Sequence, residues 1–227
     1  MNWLIWREYR LNRLILIAGV VLLLLPYLIV LVALLWPKSP PLTVPHVTKA
    51  FLGAAIYSLV LSQLTITLLG GNAIAGERAD RSAEFIAYLP LPRKKLLGAK
   101  LSLSFFAVSI IWVTNLLVLG IVACWIPQLR QDINEAYKIP YYIALTGFVF
   151  YGVSWLISSL QSSPTFAVAG GLLTPLSIVM GSTAVVWALD FNPTEQFVQN
   201  GYTAICLILA LVCFSIGTWY YLKRVEP

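Results

Sequence analysis

The sequence predicts an all-α polytopic membrane protein with six transmembrane helices, both termini cytoplasmic, and a short amphipathic helix between the second and third spans. Three observations predict it. Of 227 residues, 59% are hydrophobic and only 11% are charged, against about 25% charged in an average soluble domain. Six apolar runs each approach or exceed the roughly 20 residues needed to cross a ~30 Å hydrocarbon core. The basic residues then fall unevenly on the segments that join those runs.

The first run, Leu14 to Trp36, carries no charge. It is too long for a signal-peptide core and no small-residue cleavage site follows it, so it reads as a retained helix. Pro26 in its middle predicts a bend. The second run spans Ala50 to Ala75 and closes with Gly70-Gly71-Asn72 inside its last turns. The third runs from Leu101 to Ile126, where Pro127 stops it, and the fourth from Ile139 to Leu160. The fifth, Pro164 to Leu189, holds Gly170-Gly171 and Pro175, which predict a kink. The sixth runs from Gly201 to Leu222. No tandem repeat and no composition break divides the chain, so residues 1–227 read as a single membrane domain.

With the N-terminus inside, the cytoplasmic side holds eleven basic residues: Arg7, Arg10, Arg13, Arg78, Arg81, Arg93, Lys94, Lys95, Lys100, Lys223 and Arg224. The outer side holds four, Lys38, Lys49, Arg130 and Lys138. The bias follows the positive-inside rule. The net charge of +6 then reads as orientation and contact with anionic lipid, with no nucleic-acid partner required.

The same reading excludes several functions. Cys124, Cys206 and Cys213 lie in apolar runs without metal-ligand or disulfide spacing, and His46, the one histidine, lies in a proline-rich loop. No cofactor or metal site is expected. No Asp, Glu, Lys or Arg is expected well inside a span, which argues against self-powered, proton-driven transport and leaves sodium coupling through backbone carbonyls open. There is no GxxxxGK[ST] loop for ATP and no span histidine to activate a serine. The chain is not expected to be an enzyme.

Residues 76–100 are the most informative stretch, with nine of the 24 charged residues. Glu77, Asp80, Arg81 and Glu84 recur at helical spacing on one face, and Phe85, Ile86 and Leu89 fall on the other. Pro90 and Pro92 end this helix. Arg93, Lys94, Lys95 and Lys100 then read as headgroup anchors for the third span. From periodicity alone the helix is either a membrane-surface element or a docking helix for a cytoplasmic partner.

The succession Glu77-Arg78, Asp80-Arg81, Glu84-Phe85, Leu89-Pro90, Arg93 and Lys100 resembles the signature region of permease subunits of ATP-binding-cassette transporters, type-2 exporter class. The small Gly-Thr common after the basic position is replaced here by Arg81-Ser82. The motif covers about a tenth of the chain, and the six-span layout extends the resemblance to nearly all of it. The resemblance implies that residues 76–100 form a coupling segment seated in a groove of a separate ATPase subunit. The interface residues would be Glu77, Arg78, Asp80, Arg81, Glu84, Phe85 and Leu89. It further implies a second permease copy, identical or different, two ATPases that bind the ATP and magnesium, export as the direction, and a multi-pass place in the plasma (bacterial inner) membrane. The competing readings are an ATP-independent secondary transporter and a non-transporting membrane scaffold.

Residues 1–13 mix aromatic and basic side chains. Arg7, Arg10 and Arg13 share a stripe with Trp3 and Trp6, which suits an interfacial helix against the lipid bilayer. The resemblance implies an elbow helix along the inner surface. Small and hydroxyl residues form stripes on the spans. Ser58, Ser62 and Thr65 lie on the second, and Gly170, Thr174, Ser177 and Gly181 on the fifth. They either pack helices closely or line a translocation path. The resemblance, which sets these spans near the dimer axis, makes them the path candidates.

Overall fold

Apolar runs of this length leave the backbone to satisfy its own hydrogen bonds, and the helix is how it does so. The structure is a computed structural model that describes residues 2–36, 44–80, 92–125, 138–188 and 195–223. Among the described residues there are seven helices and no strand: α1 (Asn2–Leu11), α2 (Arg13–Leu35), α3 (Val44–Ala79), α4 (Arg93–Trp125), α5 (Lys138–Leu160), α6 (Pro164–Ala188) and α7 (Glu195–Lys223). Five of them, α2, α3, α4, α5 and α7, are long and apolar enough to cross a membrane. The fifth apolar run of the sequence forms α6, a continuous helix of 25 residues. This is the pattern of a multi-pass membrane protein. Both α2 and α6 run on through their prolines, Pro26 and Pro175.

The second and third spans extend past the boundaries expected from hydropathy. α3 continues to Ala79 and so takes in Glu77 and Arg78, and α4 starts at Arg93 and so takes in Lys100. Of the expected amphipathic helix, residues 81–91 lie outside the described residues. Arg81, Glu84, Phe85 and Leu89 are among them.

The chain divides into two compact units, each assembled from separated segments. One comprises Arg13–Thr65 and Phe105–Ile143. Its core is Leu23, Leu59 and Ile111, with Trp112 and Ile143 packed against them. α2 contributes little to it: Gly19, Leu23 and Pro26 are its buried residues, while Leu14, Ile17, Val20, Leu24 and Leu28 are exposed. An all-round apolar helix with so narrow a contact stripe suits lipid on its remaining faces. Close approach is built in at Gly19, where an added Cβ would lie 2.6 Å from Thr65 Cγ2. Ser58 Oγ donates to the Leu23 carbonyl at 2.8 Å, and Tyr27 donates to Asn115 Oδ1 at 2.7 Å.

Ser58, Ser62 and Thr65 are therefore packing residues. They are at most 1% exposed. Ser58 and Thr65 meet α2 at Leu23 and Gly19, and Ser62 donates to the Ser58 carbonyl of its own helix at 2.6 Å.

The other unit comprises residues 1–12, Ile66–Ser104 and Ala144–Pro227. Its core is Ala73, Ile74, Trp155 and Tyr221, flanked by Leu97, Leu101, Tyr151 and Phe214. The rings of Tyr151, Trp155 and Phe214 lie within 5.6–6.4 Å of one another. Gly152 lets α5 approach α7 so closely that a Cβ there would lie 2.8 Å from the Ala210 carbonyl oxygen. Ser158 Oγ accepts from the backbone N–H groups of Ile74 and Ala75. On α6, Gly170 lies against Ile157, whereas Thr174, Ser177 and Gly181 are exposed.

Candidate functional site

α1 is amphipathic in a way that composition conceals. Leu4, Glu8 and Asn12 recur every four residues and are all buried, while Trp3, Trp6, Tyr9, Arg10 and Arg13 are exposed. Trp6 and Tyr9 stack at 5.4 Å on the outer face. On the inner face, Leu4 and Ile5 pack against Leu96 and Ala99 of α4. That packing brings Glu8 onto the same level as Lys100, one turn further along α4.

The result is a buried cluster of four charges. Lys100 Nζ lies 2.9 Å from Glu77 Oε1 and 3.3 Å from Glu8 Oε2, and it donates at 2.5 Å to the Ala73 carbonyl. Arg7 reaches Glu77 Oε1 at 2.5 Å and lies 3.5 Å from Glu8 Oε1. The side chains of Lys100 and Glu8 are 2% and 3% exposed. Lysine and glutamate are almost never so buried unless paired, because removing each ion from water costs several kcal/mol. Two acids and two bases make the cluster neutral when all four are ionised. Asn72 Nδ2 donates to Asn12 Oδ1 at 2.9 Å beside it. A cavity of about 20 Å³, lined in part by Glu8, Asn12, Asn72, Glu77, Asp80 and Lys100, adjoins the cluster.

The two carboxylates are not held alike. Glu77 receives the shortest contacts from both bases. Glu8 has the longer ones, and its Oε1 is buried without a hydrogen-bond donor. Burial pushes the Glu8 carboxyl above the usual range, and the charge of Glu77 adds to this, while Lys100 and Arg7 oppose it.

Lys100 and Arg7, expected as headgroup anchors, are both paired with carboxylates. Both turn inward, because each has a buried carboxylate within reach and a bilayer phosphate would leave that carboxylate unpaired. Of the remaining anchor candidates, Trp3, Trp6, Arg10, Arg13, Lys94 and Lys95 are exposed and Arg93 is half-buried. Glu77 is likewise buried, at the end of α3. Arg78 points elsewhere again. Its guanidinium donates to the carbonyls of Ser159 at 2.7 Å and Gln161 at 3.1 Å, capping the end of α5. Asp80, just past α3, is exposed.

Glu8, Asn12 and Asn72 were not singled out by sequence reasoning. A signal existed in the Leu4–Glu8–Asn12 spacing, an acid set on the apolar stripe of a basic helix. Among the described residues, no group of three or more His, Cys, Asp or Glu could hold a metal ion. No family model, curated protein or solved structure matches this chain.

Proposed function

We propose that the chain is the membrane permease subunit of an ATP-binding-cassette transporter. In this reading it pairs with a second permease and exports a substrate at the expense of ATP hydrolysed by separate ATPase subunits. Residues 81–91 of the coupling segment, with Asp80 at their border, meet the ATPase. The observation that carries the reading is the Glu77–Lys100 pair at 2.9 Å. It clamps the end of α3 to the start of α4, the two helices that bracket residues 81–91. A coupling element must transmit displacement without absorbing it, and a segment whose two ends are pinned to each other is suited to that. Arg78 extends the same fastening to the end of α5.

A specific observation favours the ATP-independent alternative. Glu8 and Lys100 are buried ionisable groups of the kind proton-coupled carriers use. One experiment separates the two. The chain is tagged at its C-terminus, extracted from native membranes in mild detergent, and its co-purifying proteins are identified. The expected result is a stoichiometric soluble subunit carrying a P-loop, lost when Glu84 and Phe85 are replaced by Lys and Asp. A chain that purifies alone and supports ATP-independent flux in liposomes would overturn the proposal.

A further inference from the structure

Four observations meet at Glu8. Its carboxyl is buried at 2% exposure, yet Oε1 accepts no hydrogen bond, and Glu8 is among the residues that line the cavity. The cavity, about 20 Å³, has room for one water molecule. Lys100 is shared unequally, closer to Glu77 than to Glu8. Finally, two carboxylates within reach of one ammonium repel each other, so the less well held of them is the one that gains a proton at lower cost.

We propose that the Glu8 carboxyl is a proton-binding site, filled from solvent through the adjoining cavity, whose occupancy sets the net charge of the cluster that joins α1 to α3 and α4. The step is simple protonation. A proton passes from bulk water to Glu8 Oε1, an O–H bond forms there, and no other bond changes. The new hydroxyl can donate to a water in the cavity that Glu8 lines, and Oε2 keeps its contact with Lys100. The cluster then gains one positive charge. Among the described residues, the charged or titratable groups around Glu8 that enter this balance are Arg7 on α1, Glu77 on α3 and Asp80 just past it, Lys100 on α4, and Tyr221 on α7, which senses both Glu8 and Glu77. The raised affinity of Glu8 for its proton has burial as its largest cause and the charge of Glu77 as a further one. The site stands apart from the transport reading and is tested on the chain alone.

The test is a pH titration of the purified full-length protein in lipid nanodiscs, followed by the infrared carbonyl stretch of protonated carboxylic acids. The expected result is a band with a midpoint above the ordinary glutamate range that is absent from Glu8→Gln. In Glu77→Gln the same band should persist with a lower midpoint, each pH unit of lowering being about a tenfold loss of proton affinity. A band that survives Glu8→Gln, or no band above the ordinary range, would overturn the proposal. If Glu8→Gln fails to insert, Glu77→Gln decides alone. A lowered midpoint supports the site, and an unchanged one refutes it.

Discussion

Lys100 Nζ stands 2.9 Å from Glu77 Oε1, an ion pair between helices that are separated in sequence by residues 80–92. It is nearly dehydrated, with side-chain exposures of 2% and 8%. Desolvation makes such a pair a weak source of net stability but a strong source of fragility, because removing one member strands the other.

Lys100→Met leaves two buried carboxylates to share Arg7 alone. The variant is expected to lose about 3–5 kcal/mol of stability, the typical cost of breaking a buried pair. Thermal unfolding in detergent measures it. Lys100→Met combined with Glu77→Gln should be less damaged than the sum of the two single changes, since the charge imbalance is smaller. Strict additivity in that double-mutant cycle would mean that the two groups do not interact.

Stability should depend on pH through Glu8. Burial first, and the Glu77 charge after it, raise the Glu8 pKa in the folded protein above its unfolded value, against Lys100 and Arg7. Between those two values the folded state binds more protons than the unfolded chain, so stability falls as pH rises across that window. Glu8→Gln removes this contribution. The wild-type stability minus that of the variant should decline from the ordinary glutamate pKa upward and level off above the folded value. A difference that grows with pH across the window would contradict the assignment.

Gly19→Ala places a methyl group 2.6 Å from Thr65 Cγ2. Overpacking at such a contact costs about 1–3 kcal/mol. Thr65→Ser removes the opposing methyl and should restore most of the loss. Thermal midpoints of the two single variants and the double variant decide this. Equal loss in Gly19→Ala with and without Thr65→Ser would show that the helices do not meet there.

Arg78→Ala should loosen the end of α5 without unfolding the spans. It removes donors from the Ser159 and Gln161 carbonyls, and hydrogen bonds to a charged partner contribute about 1.5–3 kcal/mol. Amide exchange in the last turn of α5 is expected to accelerate while α2 is unaffected. Arg78→Lys should recover only part of the protection, because an ammonium does not reproduce the guanidinium fork. Unchanged exchange in Arg78→Ala would remove the capping role.

The helices themselves are readable from hydropathy, but several begin one to two turns earlier than the apolar runs, at Val44, Arg93 and Glu195 where the runs begin at Ala50, Leu101 and Gly201. Pro164 and Leu160 mark boundaries that the structure keeps. The errors lie at charged ends. Glu77, Arg78 and Lys100 were placed just outside the apolar runs, because a charge lowers hydropathy whether or not it is paired. The stripe Ser58, Ser62 and Thr65 was visible as a face, but its neighbour was not. Whether a small residue lines a path or packs depends on what lies opposite, and α2 lies opposite Ser58 and Thr65.

By itself, then, the amino-acid sequence determined that this chain is helical and rich in membrane-length segments, since both follow from local hydropathy and from the backbone's need to bond to itself. Only the tertiary structure decided which charges are interior. Arg7 and Glu77 are 70 residues apart, and Glu8 and Lys100 are 92 apart. A periodicity read along one helix carries no information about a partner on another. Burial turns such a charge from a solvated anchor into an obligatory member of a pair, and burial is a property of the packed chain.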